Sequence, residues 1–301
     1  MLSTFQGFRP EHLASLVAGL AEAPPRALPP PRIVPDAPAL LASRGWLEME
    51  GVTDDGERDA LVVAIEQLVR AGLPGVTVYA FPGPWRVGVR VRDAVSRLLA
   101  EPYALVEDAW AFLVRPGRSG WAPHRGIDSS VLDRERPEYL NVWIALSDAG
   151  IERSCMHFVP LDRDPAYPAA LAASDEAQLR HRHPANAITP APVGAGTGLV
   201  WNANALHWGG PCEPHASGPR LSITFSLCRI DALSRPELGG VRVIEPEALS
   251  AWERIDVVAR QIAIYGAGQD DVSEEVRRWA EMTAELSDRF GADREAGRKE
   301  G

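Results

Sequence analysis

A mainly β fold with flanking helices, a β-barrel or two-sheet jelly roll of cupin type, is predicted by three observations on this 301-residue chain. From about residue 76 the apolar period changes from helical towards two and, interrupted by a helix at about 92–100, continues so to residue 228. Helical periodicity precedes that region and returns after residue 246, so helices buttress a central β body. The last predicted strand, 220–228, is two-faced. Leu221, Ile223, Phe225 and Leu227 share an apolar side, and Arg220, Ser222, Thr224 and Ser226 share a polar one. A polar inward face suggests a cavity that holds a ligand, and the alternative is a polar face that is simply solvated; Arg220 at its head favours the cavity.

The elements follow in order. Residues 11–20 read as a short helix entered through Pro10, and the seven prolines of 24–38 as an extended loop. Residues 46–50 alternate like a strand. A helix is expected at 56–72, with Leu61, Ile65, Leu68 and Val69 on one face and Leu73-Pro-Gly75 as its stop. Strands are expected at 76–81, 86–91, 104–114, 139–146, 154–159, 198–203 and 220–228, with a helix at 92–100. Two C-terminal helices carry apolar faces with Leu249, Trp252 and Ile255, then Val276, Trp279 and Leu286. The whole reads as one domain, 1–301: N-terminal helices and loops over 1–104, the β core at about 105–230, C-terminal helices over 246–290.

Composition narrows the function classes. Hydrophobic residues at 46% and charged residues at 24% are ordinary for a globular chain. A net charge of −10 argues against a nucleic-acid partner, because phosphate contacts need a basic surface. No apolar run has the length of a membrane span and no signal-peptide pattern opens the chain, so the expected location is cytoplasmic. Three cysteines without CxxC spacing favour neither disulfides nor structural zinc.

Two of the seven histidines stand out. Trp121-Ala-Pro-His124-Arg-Gly126 precedes Asn204-Ala-Leu-His207-Trp-Gly-Gly, and Arg220-Leu-Ser222 follows. Two imidazoles on one face of a metal, with an arginine to pair an oxoacid carboxylate, suit a non-haem iron oxygenase using 2-oxoglutarate. On a strand, residues i and i+2 address the same side, so position 126 would share the metal with His124. The usual carboxylate there is replaced by Gly126. Arg125 would point away and is read as structural.

The ordered set resembles the phytanoyl-CoA dioxygenase family of iron(II)- and 2-oxoglutarate-dependent oxygenases. It comprises Trp121-x-x-His124, Tyr139-Leu-Asn-Val-Trp143-Ile-Ala-Leu-Ser-Asp, Ser154-Cys-Met-His-Phe-Val-Pro160, Gly196-x-Gly-x-x-Trp201, His207 and Arg220-x-Ser222. The resemblance implies a distorted double-stranded β-helix with His124 and His207 on Fe(II). It implies Arg220 and Ser222 on the distal carboxylate of 2-oxoglutarate, Asn141 and Trp143 beside that cosubstrate, and O2 as co-reactant. The departure is Gly126, where the family's HxD motif puts its aspartate.

Three explanations of Gly126 compete. In the favoured one chloride or bromide fills the vacated position, as in halogenase relatives with HxG or HxA motifs, and an unactivated carbon is halogenated. In the second the protein hydroxylates, either with Asp128 as substitute ligand, brought back by a turn at Gly126, or as an engineered aspartate-to-glycine form of a hydroxylase. Asp133, Glu135 and Glu138 are further acids without a spacing argument. In the third, a non-catalytic barrel binds a small molecule. The substrate is expected to be a small molecule; its identity and the oligomeric state stay open. The acidic charge weakly disfavours an acidic carrier protein, so a carrier-tethered substrate remains a lesser alternative.

Overall fold

The computed structural model describes residues 7–17, 28–33, 36–126, 136–164, 167, 185–235, 238 and 241–299, with side chains to residue 288. The chain divides into two compact units, one of residues 1–25, 60–86 and 245–301, the other of 26–59 and 87–244.

The second unit carries the β structure. Its strands are β1 (Arg32–Ile33), β2 (Trp46–Glu50), β3 (Tyr103–Val114), β4 (Tyr139–Ala145), β5 (Met156–Phe158), β6 (Thr189–Ala191), β7 (Gly198–Asn202), β8 (His207–Gly209), β9 (Arg220–Arg229) and β10 (Val243–Ile244). One antiparallel sheet runs β1-β2-β7-β4-β9-β3-β10 and a smaller one β6-β5-β8. Together they form the expected mainly β, jelly-roll body. Side chains from both sheets make a shared core, with Trp143, Leu199 and Trp201 from the large sheet against Met156, Phe158 and Ala191 from the small one. Phe158 stacks on Trp46 at 4.6 Å and meets Trp201 edge-on at 5.5 Å. Such aromatic pairs add about 0.5–1.5 kcal/mol each beyond the area they bury.

The two faces of β9 behave as read from sequence. Ser222, Ser226 and Arg220 are buried rather than solvated. Thr224 exchanges hydrogen bonds with the Trp110 backbone, 2.9 Å from its N–H and 3.1 Å to its carbonyl. On the other face Phe225 lies under the helix Pro82–Leu99, where a Cβ at Gly88 would come within 2.9 Å of the ring. Glycine is what lets helix and sheet approach this closely.

That helix corrects two expectations. Residues 86–91 are not a strand; they belong to one 18-residue helix that absorbs the separately expected 92–100. Valines at 87, 89 and 91 imitate a period of two, but the buried set Val87, Val91, Ala94 and Val95 has the helical spacing. Residues 76–81 are likewise no strand: Gly75–Ala80 is a 3-10 helix. Every residue of that short turn is buried, so alternation had no solvent face to report. A helix at Ala37–Arg44, beginning where the proline-rich stretch ends, went unread. The short strands β1, β6, β8 and β10 were too brief to show a period.

The first unit is helical, with Pro10–Leu16, Ala251–Tyr265 and Glu274–Lys299. Ser250 and Glu253 form a capping box at the start of the second. Phe8 stacks on Trp279, with ring centroids 3.6 Å apart. Ile255, Val276 and Trp279 are buried as expected, but Trp252 and Leu286 face outward, 60% and 47% exposed. No helix among the described residues is long and apolar enough to cross a membrane.

Gly88→Val should force the Phe225 ring to move and lower stability by about 1–3 kcal/mol. Urea unfolding measures this, and an unchanged midpoint would mean the helix is free to lift from the sheet.

Candidate functional site

The segment before Gly126 lies antiparallel to the chain around β8. Gly117 N–H donates to the Cys212 carbonyl at 2.7 Å, Gly120 to Gly210 at 3.1 Å and Gly209 to Trp121 at 3.1 Å. His124 and His207 are a paired bridge, each backbone N–H donating to the other's carbonyl at 3.0 Å. The two imidazoles therefore come side by side, ring centroids 4.3 Å apart.

Both rings are tethered in the same way. His124 Nδ1 is 2.7 Å from the Ala122 carbonyl, and His207 Nδ1 is 2.9 Å from that of Ala205. A carbonyl only accepts, so each neutral ring carries its proton on Nδ1 and turns the Nε2 lone pair outward. This is the arrangement metal-binding histidines use. Burial holds both rings neutral. It lowers the affinity of His124 for a proton, against smaller opposing effects of the Ala122 carbonyl and Asp108. It pulls His207 well below the usual range, helped by His124 and Arg125. Trp201, at 4.7 Å, and Phe158, at 6.2 Å, supply part of the apolar wall around His207.

Arg220 is a buried cation of the barrel, 1% exposed. Its Nη1 donates to Ser222 Oγ at 2.6 Å, Nη2 to Ser154 Oγ at 3.3 Å and Nε to the Ser154 carbonyl at 3.2 Å. The guanidinium lies 5.5 Å from the Phe112 ring centre and 5.3 Å from that of Trp143. Among the described residues no carboxylate pairs with it. Burial without a counter-charge brings its pKa down to about 10, so it remains cationic at neutral pH. The indole N–H of Trp143 beside it, and that of Trp201 beside His207, are buried with no hydrogen-bond partner. A buried charge lacking a partner and orphaned donors around it are costly unless an anion completes them.

Gly126 donates its N–H to the Ala203 carbonyl at 2.7 Å. A Cβ built there would lie 3.1 Å from both Nδ2 and Oδ1 of Asn141 and 3.3 Å from the Ala203 carbonyl. A side chain at 126 would thus crowd the amide of Asn141. On β4, Asn141 is registered between Trp201 of β7 and Ser226 of β9.

The structure therefore brings together His124, His207, Gly126 and Asn141 on one side and Arg220, Ser222 and Trp143 on another. Asp128 lies outside the described residues, as do Asp133 and Glu135. Glu138 is engaged elsewhere, paired with Arg235 at 2.6 Å and Arg229 at 3.4 Å. Arg125 is structural: its Nη2 pairs with Asp164 at 2.6 Å, both side chains fully buried, and its Nη1 donates to the Asn204 carbonyl at 2.6 Å. Asn202 is engaged with Tyr167 and the Asn204 N–H.

Sequence reasoning missed Asp108. A β-bulge between Val106 and Ala109 breaks the period on β3. There Asp108 accepts from Ser226 Oγ at 2.7 Å and the Tyr139 hydroxyl at 3.2 Å. The adjacent acids Glu107-Asp108 within an apolar run were the available signal, since bulges re-aim side chains beside functional sites. No cluster of three or more histidine, cysteine or acidic side chains suited to a metal occurs among the described residues.

Residues 76–213 match the phytanoyl-CoA dioxygenase (PhyH) family. No curated protein matches the chain. Among solved structures, the chain is similar to the non-heme α-ketoglutarate-dependent epimerase SnoN of nogalamycin biosynthesis. The identity is 20%, the match covers 64% of this chain and 82% of that one, and the TM-score is 0.45. It is also similar to AviO1 from Streptomyces viridochromogenes Tue57, with 18% identity, 64% and 94% covered, TM-score 0.49. A third is HygX from Streptomyces hygroscopicus, determined with nickel and 2-oxoglutarate bound, at 16% identity, 66% and 88% covered, TM-score 0.49.

Asp164→Leu should leave Arg125 as an uncompensated buried charge beside His124 and cost about 3–5 kcal/mol. Equilibrium unfolding checks this, and a loss below about 1 kcal/mol would show that the pair is not a support of the histidine bridge.

Proposed function

We propose that this chain, whose residues 76–213 follow the phytanoyl-CoA dioxygenase pattern, is an iron(II)- and 2-oxoglutarate-dependent oxygenase that halogenates an aliphatic carbon of a small molecule. The observation that carries the reading is Arg220, a fully buried guanidinium with no carboxylate paired to it among the described residues, in the same barrel as two imidazoles tethered through Nδ1. The donor set fits the groups it would hold. Nε2 of His124 and of His207 suit a borderline divalent metal. The planar fork of Arg220, with Ser222 beside it, suits a carboxylate, and the unpaired Trp143 indole N–H adds a donor next to it.

Iron(II) with 2-oxoglutarate and O2 supplies an oxidant able to remove hydrogen from an unactivated carbon. The chain's own residues decide the rest. Arg220 fixes one end of the cosubstrate. Burial keeps both histidines neutral, so their lone pairs are available. Gly126 supplies neither a carboxylate nor its negative charge, which leaves a place for a halide anion, chloride or bromide. A carboxylate from Asp128 would instead make the protein a hydroxylase, and failure to hold iron and 2-oxoglutarate would leave a binding barrel.

Under anaerobic conditions, iron(II) plus 2-oxoglutarate should give a metal-to-ligand charge-transfer band that shifts saturably with chloride, and Gly126→Asp should abolish the shift. A band indifferent to chloride would favour hydroxylation with a substitute ligand; no band would sink both enzyme readings. Arg220→Met should weaken 2-oxoglutarate binding at least a hundredfold, on the order expected for losing a bidentate charged contact, while leaving iron(II) bound. Equilibrium dialysis of each separately would reveal the opposite pattern if Arg220 were only structural.

A further inference from the structure

Glu107 and Asp108 lie together in the bulge of β3 but turn to different partners. Glu107 pairs with Arg242, beside the edge strand β10, at 2.9 Å. Asp108 alternates with Trp110 and Phe112 on one face of β3, and Phe112 lies 5.5 Å from the Arg220 guanidinium. The carboxylate therefore belongs to the inward face. There Ser226 Oγ and the Tyr139 hydroxyl both donate to its Oδ2, at 2.7 and 3.2 Å.

Register fixes its place relative to the rest of the site. Ser226 and Arg220 sit near opposite ends of β9, about 20 Å apart along the strand, so Asp108 is remote from the anchor of the cosubstrate. Across the sheet, Ser226, Asn141 and Trp201 stand level on β9, β4 and β7, and the His207 ring is 4.7 Å from that of Trp201. Asp108 thus borders one end of a row about 10 Å wide, and His207 borders the other. Its charge is felt at His124. It nevertheless forms no metal-sized cluster with the two histidines.

We infer that Asp108 determines the class of substrate, holding the cationic nitrogen of a small aliphatic amine whose carbon chain extends across that row towards the histidines. The oxygenase reading above is what makes the bound amine a substrate. A carboxylate enclosed in a barrel favours a cation over a neutral or anionic group, because desolvation makes an unmatched charge costly. The two hydroxyls orient it without cancelling its charge. Arg220 and Asp108 then sort the two organic molecules by sign: the oxoacid goes to the arginine and the amine to the aspartate, and each is repelled from the other's place. The net charge of −10 also favours the approach of a cation.

The test reads binding rather than turnover, at physiological salt, with hexylammonium and its neutral counterpart 1-hexanol as probes. Isothermal titration of the metal-free chain should find the ammonium at least tenfold tighter than the alcohol, the usual size of a hydrogen bond to a charged group. Asp108→Asn should bring the ammonium down to the affinity of the alcohol, while iron(II) and 2-oxoglutarate bind as in the wild type. If that variant does not fold, the wild type loaded with manganese(II) and 2-oxoglutarate decides. Manganese should then relax the protons at the methyl end of bound hexylammonium faster than those beside its nitrogen. Equal affinity for the two probes, an ammonium preference that survives Asp108→Asn, or faster relaxation beside the nitrogen would overturn the inference and leave the oxygenase reading standing. Loss of iron or 2-oxoglutarate binding in a folded Asp108→Asn would also overturn it, by making Asp108 a support of the metal site. An ammonium preference that depends on Asp108, in a chain that takes up neither iron nor 2-oxoglutarate, would sink the oxygenase reading and keep the amine site.

Discussion

The site depends on one constraint, the backbone ladder that joins residues 117–126 to 203–212. The reciprocal hydrogen bonds of His124 and His207 put both imidazoles on one side. The ladder demands glycine where the strands are closest: a Cβ at Gly120 would stand 2.7 Å from the Gly209 Cα, and one at Gly209 2.8 Å from the Gly120 Cα. Either Cβ would also crowd Arg220 Nη2 at 3.1 Å. The spacing that aligns the histidines therefore also fixes the room left for the guanidinium, and Gly126 ends the ladder against Ala203 with the Asn141 amide close beside it.

Cationic and donor groups stand unanswered beside Arg220 and His207 in this interior. Arg220 is a desolvated cation held by serines, both histidines are kept neutral by burial, and two indole N–H groups are unpaired. The Asp108 carboxylate is met by Ser226 and Tyr139. Such an interior is stable with anions bound and costly without them. Under the proposed function, a carboxylate of the oxoacid would answer it at Arg220.

Much of this was legible in sequence because it depends on local pattern. The faces of β9 were written in the alternation from Arg220 to Leu227, and the two histidines in their tryptophan-rich settings. The errors arose where tertiary burial overrides period: Val76–Ala80 is buried all round, and the valines from 87 to 91 imitate a strand while lying on one helix. Asp108 was hidden by a bulge, which adds residues without changing composition. The contact between Asn141 and Gly126 joins chain segments with no sequence relation, so no motif could show it.

The proposed function turns on an anion taking the coordination position that Gly126 would leave on iron. Iron K-edge X-ray absorption of the anaerobic iron(II)–2-oxoglutarate complex, prepared in bromide, tests it most directly. A heavy scatterer in the first coordination shell of the wild type, missing in Gly126→Asp, is the predicted result. A shell of oxygen and nitrogen alone at saturating bromide would contradict the account and return the third position to a protein ligand or water.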